Sequence, residues 1–283
     1  MSDGIISFIG GGNMATSLIG GLIADGRDPA SIYVTDLDSA KLDSLAQRFR
    51  VQTSTDNDEA VRFANTVVFA VKPQVMATVV KAVAAAAEQH RPLFISIAAG
   101  VREPDIRRWL GYDAAIVRSM PNTPALVGSG ATALYANPHV SDEQRNLAES
   151  VLRAVGLTVW VDDEDLLDAV TALSGSGPAY FFLIMESMER AAVALGLSRE
   201  DARMLTIQTA FGAAKMALES SDAPATLRTR VTSPGGTTER AVDALITGGI
   251  EQLMHEALGA AHGRSIELGR EFGGDVDGEE ERS

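Results

Sequence analysis

The chain has 283 residues, 46% of them hydrophobic, and a formal net charge of −14 at pH 7. This length and apolar content are ample for a buried core and favour two domains. The acidic balance argues against nucleic acid or an anionic membrane as the main partner, so an anionic substrate would need local N–H groups or hydroxyls to hold it. The absence of cysteine excludes disulfides, thiolate nucleophiles and cysteine-bound metals.

The first half of the chain alternates between short apolar runs and segments of helical periodicity. Such alternation predicts a Rossmann-type α/β domain, a doubly wound sheet covered on both faces, over residues 1–162. Strands are expected at 4–10, 32–35, 66–71, 93–99, 114–120, 131–136 and 158–161. Helices are expected between them at 15–26, 39–49, 57–64, 73–89 and 141–156.

Strand patterns stop after the acidic stretch 162–165, so an all-α domain is predicted over residues 163–272. The glycine-rich acidic tail 273–283 has little to bury and is expected to be disordered. Helices are expected at 165–173, 178–195, 199–219, 238–246 and 250–272.

The helices between 178 and 219 carry apolar residues nearly all around their circumference. They are either the core of a helical bundle or a surface that packs on a second subunit, and the small number of helices in the domain favours the second. No apolar stretch is expected to reach the roughly 20 residues of a membrane span. Because the first strand is expected within four residues of the N-terminus, no signal peptide is expected. We therefore expect a cytoplasmic protein without membrane contact.

A glycine loop follows the first strand and opens a helix, with the spacing Gly10-x-Gly12-x-x-Ala15. In this context the pattern predicts a dinucleotide site, although a tight turn without ligand has the same local signature. Asp36 ends the second strand 21 residues after Ala15, near the offset of a carboxylate that binds the adenosine ribose. On the residues alone this acid favours NADH, with Lys41 the nearest cation; Asp36 or Asp38 is alternatively a helix N-cap.

Two more strand ends are placed where ligands bind in a doubly wound sheet, in the segments AVKPQ (70–74) and SIAAG (96–100). Lys72 is either a cofactor neighbour or a solvated lysine, and the small residues after the second strand either accept a flat ring or pack a loop. The four histidines, His90, His139, His255 and His262, lie outside these motifs without a metal-ligand spacing, so no metal site is expected.

The segment RVTSPGGTTERA (230–241) has a proline, two glycines and adjacent hydroxyls before a helical pattern. Such a helix start leaves backbone N–H groups free to hold an anion. A plain helix cap accounts for one hydroxyl but not for a Pro-Gly-Gly turn followed by two threonines. No nucleophile elbow is present, so a bound cofactor is expected to supply the chemistry.

The segments FIGGGNMA, AVKPQ, SIAAGV, MPNTPALVG, LSGSGPAY, AAKM and VTSPGGTTERA together resemble the delta-1-pyrroline-5-carboxylate reductase family from about residue 5 to 270. The resemblance implies a Rossmann domain followed by an all-α C-terminal dimerisation domain, in homodimers or rings of dimers. It implies reduction of the cyclic imine of 1-pyrroline-5-carboxylate to L-proline, the last step of proline biosynthesis. The family's cofactor is more often NADPH, whereas Asp36 leaves NADH open.

The resemblance also carries residue roles. Thr238 is implied as the catalytic residue that hydrogen-bonds the ring nitrogen, and the substrate carboxylate is implied to lie among Ser233, Gly236, Thr237 and Thr238. Asp36 and Arg230 depart from the family pattern, which leaves the preference for NADPH in doubt. The implied cofactor contacts are Gly10, Gly11, Gly12, Asn13, Met14, Ala15, Asp36, Asn57, Ala70, Val71, Lys72, Pro73, Ile97, Ala98, Ala99, Asn122, Glu164 and Arg230.

Two rival functions follow from the same residues. A reductase of the β-hydroxyacid dehydrogenase type needs a lysine on the helix after the glycine-rich junction, and SGSGPAYFFLIMESMER has none. A dinucleotide sensor without turnover would explain the first glycine loop but would give the SPGGTT loop no role.

Overall fold

A computed structural model describes residues 4–274 of the chain. Residues 1–3 and 275–283 lie outside the described residues, and with them most of the tail that the sequence predicts to be disordered. The strands are β1 Ile6–Ile9, β2 Ile32–Thr35, β3 Gln52–Ser54, β4 Thr66–Phe69, β5 Leu93–Ser96, β6 Ile116–Met120, β7 Gly130–Ala136 and β8 Gly156–Trp160. The helices are α1 Asn13–Ala24, α2 Ser39–Phe49, α3 Asn57–Phe63, α4 Pro73–His90, α5 Glu103–Leu110, α6 Asp142–Arg153, α7 Leu166–Val170, α8 Gly177–Ala194, α9 Arg199–Glu219, α10 Pro224–Arg230, α11 Thr237–Thr247 and α12 Ile250–Gly273.

The strands form one sheet in the order β3-β2-β1-β4-β5-β6-β7-β8. Strands β1 to β6 run parallel, β7 is antiparallel to β6, and β8 is parallel to β7. The reversal at β7 follows from the connection 121–129, which is shorter than the crossover that a parallel neighbour requires. The strand order changes direction beside β1, which places a topological switch point between the ends of β1 and β4.

Two apolar clusters cover the two faces of this sheet. Because side chains alternate along a strand, Phe8 packs in one cluster and its neighbour Ile9 in the other. Helices α1, α2 and α6 contribute buried residues to the first cluster, and α3, α4 and α5 to the second. Phe69 and Phe94 stack in the second cluster with ring centroids 5.2 Å apart. The Rossmann-type doubly wound architecture is confirmed.

The structure contains three elements that the sequence does not predict: β3, α5 and α10. β3 is a three-residue edge strand of polar residues, so it lacks the apolar run that marks a buried strand. α5 and α10 are helices of eight and seven residues, each with a proline in the first turn, and segments this short are hard to distinguish from loops by periodicity. Several expected strands are also too long, because the chain leaves the sheet before the small residues that follow β4 and β5.

The described residues form two compact units. One contains the residues up to Ser176 and those from Ala260 onward, and the other is Gly177–Gly259. This division differs from the sequence boundary near residue 162, because α7 and the end of α12 pack on the first unit. The Ser265 hydroxyl donates to Asp168 Oδ1 at 2.6 Å, and both residues are buried. Helical periodicity gives no information about which unit a helix joins.

The second unit carries many apolar side chains on its surface. Phe181, Phe182 and Phe211 are each at least 60% exposed, and Leu205 is 57% exposed. These side chains on α8 and α9 leave a large apolar surface without a partner in the described chain, which is typical of a subunit interface.

The run Leu166–Ala194 contains a helix that is long and apolar enough, by length and composition, to cross a membrane. The expectation that no apolar stretch reaches this length is therefore wrong. One such helix is weak evidence for a membrane span, since the core helix of a soluble protein meets the same criterion. The expected lack of membrane contact stays a prediction.

Candidate active site

The first glycine loop joins β1 to α1 at the carboxyl edge of the sheet. Gly10 has φ +104°, and a Cβ there would lie 2.7 Å from the Ala70 carbonyl oxygen, so this position requires glycine. Gly12 has φ −72° and open space around the place of a Cβ. The loop thus combines a tight turn against β4 with an open approach to the backbone.

Gly12 is the N-cap residue of α1 and has no side chain to cap it. The first turn of α1 contains no acidic residue, and no hydrogen bond of the Asn13, Met14 or Ala15 N–H groups is found within residues 4–274. Free N–H groups at a helix start and the positive end of the helix dipole are the recurrent binding site for a dinucleotide pyrophosphate. The residues present at this edge therefore fit such a cofactor.

The expected neighbours at the edge lie on adjacent strand ends. The Gly10 N–H donates to Thr35 O, the Ala70 N–H to Ile9 O and the Ile97 N–H to Phe69 O. The structure therefore brings the ends of β1, β2, β4 and β5 together. Val71, Lys72 and Pro73 continue from Ala70 into α4, and Ala98 and Ala99 continue from Ile97.

Lys72 is exposed and is the N-cap residue of α4, with Pro73 in the first turn. Its position at the carboxyl edge is compatible with both alternatives given by the sequence, a lysine beside the cofactor and a solvated surface lysine. Ala98 is buried, and its N–H donates to Ser96 Oγ at 3.3 Å.

Asp36 follows β2 and its carboxylate is fixed by the backbone. The Gly11 N–H donates to its Oδ2 at 2.8 Å, and the Asp38 N–H donates to its Oδ1 at 2.9 Å. Burial raises the pKa of Asp36, but these two hydrogen bonds and the nearby Lys41 ammonium outweigh it and leave the pKa below its ordinary value. Asp38, not Asp36, accepts the N–H groups at the start of α2 and is its N-cap.

Asn57 starts α3 and is held by the end of β2. The buried Thr35 hydroxyl donates to Asn57 Oδ1 at 2.6 Å. Because the oxygen is used in this way, the NH₂ end of the side chain is the end that is free to donate. No hydrogen bond of that NH₂ group is found within residues 4–274. Thr35 is a positioning residue that the sequence analysis missed, although it immediately precedes Asp36.

Asn122 is engaged by the protein. Its Nδ2 donates to Ser174 O at 3.0 Å, and its Oδ1 accepts the Ala131 N–H at 2.9 Å. In a regular helix the carbonyl of Ser174 would accept from residue 178, but Pro178 has no N–H. The Asn122 amide thus satisfies a carbonyl oxygen that the proline leaves without its helical donor.

Glu164 is likewise in a buried network. Its Oε1 accepts from Arg118 Nη1 and from the Glu103 N–H, both at 2.6 Å. The side chains of Arg118 and Glu164 are 8% and 11% exposed. This pairing neutralises two charges in the protein interior and attaches the start of α7 to β6 and α5. The implied cofactor contacts of Asn122 and Glu164 stay predictions.

The second loop lies in the other unit and begins α11. The Gly236 N–H donates to Ser233 O at 3.0 Å, and Gly235 has φ +71°, so Ser233–Gly236 matches a turn with Pro at its second position and glycine at its third. The Gly235 N–H donates to Glu239 Oε2 at 2.8 Å, which fixes this turn on the first turn of the helix.

Gly236 is the N-cap of α11 and lacks a side-chain cap. Within residues 4–274 no hydrogen bond is found for the N–H groups or hydroxyls of Thr237 and Thr238, or for the hydroxyl of Ser233. Ser233 and Thr237 are exposed, and Thr238 is half-buried. The loop therefore presents several donors without a partner at the positive end of an eleven-residue helix. A simple helix cap needs only one hydroxyl, so capping alone does not account for all three.

Arg230, implied as a cofactor contact, ends α10 and pairs with Asp222 within the second unit. Its side chain is 63% exposed. Its contact with a cofactor stays a prediction.

A surface pocket beside the first glycine loop includes three residues of α2 that the sequence analysis did not assign together. Lys41, Ser44 and Arg48 line it, opposite Gly11 and Gly12. Their spacing of three and four residues places them on one helix face, a signal that was available in the sequence.

Comparison with known proteins identifies the family of this chain. Residues 164–268 match the family model described as pyrroline-5-carboxylate reductase dimerisation, and residues 5–100 match the model described as NADP oxidoreductase coenzyme F420-dependent. The pyrroline-5-carboxylate reductase of Pseudomonas aeruginosa is 50% identical over 273 residues, covering 96% of this chain and all of the relative.

Solved structures give the same result. A pyrroline-5-carboxylate reductase from Coxiella burnetii is similar with a TM-score of 0.91 and 49% identity, covering 94% of this chain and 98% of that one. The Plasmodium falciparum pyrroline carboxylate reductase, solved with NADP bound, has a TM-score of 0.83 and 27% identity, covering 95% and 99%. The chain belongs to the pyrroline-5-carboxylate reductase family.

Proposed function

We propose that this chain is a pyrroline-5-carboxylate reductase, which reduces the cyclic imine of 1-pyrroline-5-carboxylate to L-proline with NAD(P)H in the last step of proline biosynthesis. The observation that carries the proposal is the loop 233–238, in which the N–H groups of Thr237 and Thr238 and three hydroxyls have no partner within residues 4–274 and suit a small carboxylate. A dinucleotide sensor without turnover would have no use for this loop.

The cofactor is NADP(H), and NADH is a second reductant because of Asp36. Open space at Gly12 and the free N–H groups at the start of α1 support the placement of the pyrophosphate there. When bound, the reduced nicotinamide supplies the hydride. The other contacts proposed for the cofactor are Gly10, Gly11, Asp36, Asn57, 70–73, 97–99, Asn122, Glu164 and Arg230.

The substrate carboxylate binds at the start of α11 among Ser233, Gly236, Thr237 and Thr238. The donors there are the N–H groups of Thr237 and Thr238 and the three hydroxyls, because the Gly236 N–H is used by the turn. The positive end of the α11 dipole provides local attraction in a chain whose net charge is −14. Thr238 hydrogen-bonds the ring nitrogen and so fixes which face of the imine meets the nicotinamide. In this account residues 1–162 bind the cofactor, and residues 163–272 bind the substrate and form the dimer.

The reaction needs little acid catalysis from the protein. A cyclic imine is readily protonated by water, and its iminium carbon is already electrophilic. Addition of a hydride to that carbon after protonation of the nitrogen gives the amine of proline. The contribution of the chain is therefore alignment, which explains a site with Thr238 and no histidine.

The exposed apolar faces of α8 and α9 support a homodimer formed by the helical domain, and further association into a ring of dimers is part of the proposal. The acidic net charge supports the absence of nucleic acid among its partners. We place the enzyme in the cytoplasm without membrane contact, as expected of a biosynthetic enzyme with a diffusible substrate.

The experiment compares the wild type with Thr238→Ala and Thr238→Ser while cofactor oxidation is followed with pyrroline-5-carboxylate. Removal of the hydroxyl is expected to lower kcat/KM by more than about tenfold, and serine is expected to retain most of the activity. Cofactor binding, measured separately by fluorescence titration, is expected to be unchanged. Equal turnover of the alanine variant and the wild type would remove Thr238 from the mechanism.

A further inference from the structure

The segment LSGSGPAY (173–180) has no role in the function proposed above. Where it begins, residues 171–175 form one π-helical turn between α7 and α8. The Ser176 N–H closes this turn and donates to Thr171 O, five positions back, at 2.9 Å. Single π-helical turns are rare and are frequently found at functional sites. The irregular start of α8 is therefore a candidate for a part of the active site.

Three side chains at this turn carry hydroxyl groups, and two of them serve the turn itself. The hydroxyls of Thr171 and Ser174 donate to the carbonyl oxygens four positions back, at 2.7 Å and 3.1 Å. Ser176 uses only its backbone in the turn, and no hydrogen bond of its hydroxyl is found within residues 4–274. The residue is half-buried. A half-buried hydroxyl that the fold does not use is available to a ligand.

The turn is held against the end of β6. Asn122, two residues after this strand, donates from Nδ2 to Ser174 O at 3.0 Å. A Cβ at Gly175 would lie 2.6 Å from Met120 Cε, so glycine permits a close approach to the last residue of β6. β6 pairs in parallel with β5. Ser176 therefore follows a turn that is anchored at the carboxyl end of β6, next to that of β5.

This edge is where the nicotinamide half of the cofactor is expected. The strand order changes direction beside β1, and a dinucleotide lies across such a switch point with its pyrophosphate at the start of α1. With the adenosine half beside the end of β2, the other half extends over the ends of β4, β5 and β6. The carboxamide of nicotinamide has a carbonyl acceptor and an NH₂ donor, and a hydroxyl can pair with either.

We propose that the Ser176 hydroxyl binds the carboxamide of the nicotinamide and holds the ring in one orientation at the end of β6. The effect of Ser176 on turnover rests on the proposed function, whereas its effect on cofactor binding does not. The backbone bond to Thr171 fixes the position of Ser176 and leaves its hydroxyl free. This role accounts for the segment LSGSGPAY, which neither glycine loop explains.

The test uses isothermal titration calorimetry with two ligands. NADPH carries the nicotinamide, and 2′,5′-ADP carries the phosphorylated adenosine half without it. Ser176→Ala removes the hydroxyl and keeps the backbone bond to Thr171. Because one neutral hydrogen bond is lost, this variant is expected to raise the Kd of NADPH by about threefold to tenfold and to leave that of 2′,5′-ADP within about twofold.

Ser174→Ala is the matched control, because its hydroxyl lies in the same turn and donates to Val170 O. It is expected to leave both Kd values within about twofold of the wild type. Binding of 2′,5′-ADP also shows that the cofactor-binding unit of each variant is folded. With pyrroline-5-carboxylate, kcat/KM for NADPH is expected to fall in Ser176→Ala by at least the same factor as the affinity.

The proposal is overturned if Ser176→Ala raises the Kd of NADPH by less than about threefold, or if it weakens the binding of both ligands by the same factor. It is also overturned if Ser174→Ala loses as much affinity for NADPH as Ser176→Ala. If the affinities change as expected but the wild type does not oxidise NADPH with pyrroline-5-carboxylate, the role of Ser176 in binding stands and the proposed function fails.

Discussion

Two neighbouring glycines of the first loop should respond to alanine in opposite ways. At Gly10, φ is +104° and a new Cβ would lie 2.7 Å from the Ala70 oxygen and 2.8 Å from the Ala70 carbonyl carbon. The contact is with backbone, which cannot rotate away as a side chain can. Backbone strain of about 1–3 kcal/mol and overpacking of about 1–3 kcal/mol together predict a loss of about 2–6 kcal/mol in the free energy of unfolding.

At Gly12 the geometry predicts a different result. Its φ of −72° suits any residue, and a Cβ would have no atom within 4 Å. The substitution should cost less than about 1 kcal/mol, the difference between glycine and alanine at an N-cap. The added methyl group would instead occupy the approach to the N–H groups of α1, so the Kd of the cofactor should rise by at least about tenfold.

The assay pairs thermal unfolding with cofactor titration for Gly10→Ala and Gly12→Ala. The first variant should lower the Tm by roughly 4–24 °C, and the second should leave it nearly unchanged while it loses affinity. Equal destabilisation by the two substitutions would refute the distinction drawn between a packed and an open glycine. Unchanged affinity in Gly12→Ala would refute the placement of the pyrophosphate.

Two further predictions concern stability. Burial raises the pKa of Tyr112 to about 12, and its hydroxyl donates to Ala87 O at 2.9 Å. The folded-state pKa therefore lies above the unfolded value near 10. The stabilisation of the fold by the neutral Tyr112 hydroxyl is complete below about pH 10 and is lost as the pH rises toward 12. Denaturant midpoints from pH 9 to about 12 should therefore fall less steeply in Tyr112→Phe than in the wild type, and parallel curves would contradict this. Asn122→Ala should lower the free energy of unfolding by about 2–4 kcal/mol, since the Ser174 carbonyl and the Ala131 N–H lose their partner. The control Ser150→Ala, on the exposed face of α6, should be nearly neutral. A neutral result for Asn122→Ala in chemical denaturation would show that the carbonyl of Ser174 needs no such donor.

The sequence predicts the first half of the fold well because its strands are continuous apolar runs. Residues 32–35 and 66–69 are entirely buried. The strand expected at 32–35 coincides with β2, and the strand expected at 66–71 begins at the same residue as β4. β3 lacks this signal because Gln52, Thr53 and Ser54 lie on a sheet edge. The direction of β7 depends on the length of a connection, which apolar periodicity does not report.

The candidate site divides in the same way. Local backbone geometry requires particular residue types at fixed spacings in the two glycine loops. Gly10, Gly12 and the SPGGTT loop can therefore be identified from the sequence. The partners that hold the site cannot: Thr35 reaches Asn57 across 22 positions, and Arg118 reaches Glu164 across 46. Such contacts depend on the strand order and leave no local pattern in the chain.

The central claim is tested most directly by incubating the purified protein with NADPH or NADH and pyrroline-5-carboxylate and quantifying L-proline. The account predicts one proline formed for each cofactor molecule oxidised, with no oxidation when the imine is omitted. Cofactor binding without formation of proline from either reductant would contradict it.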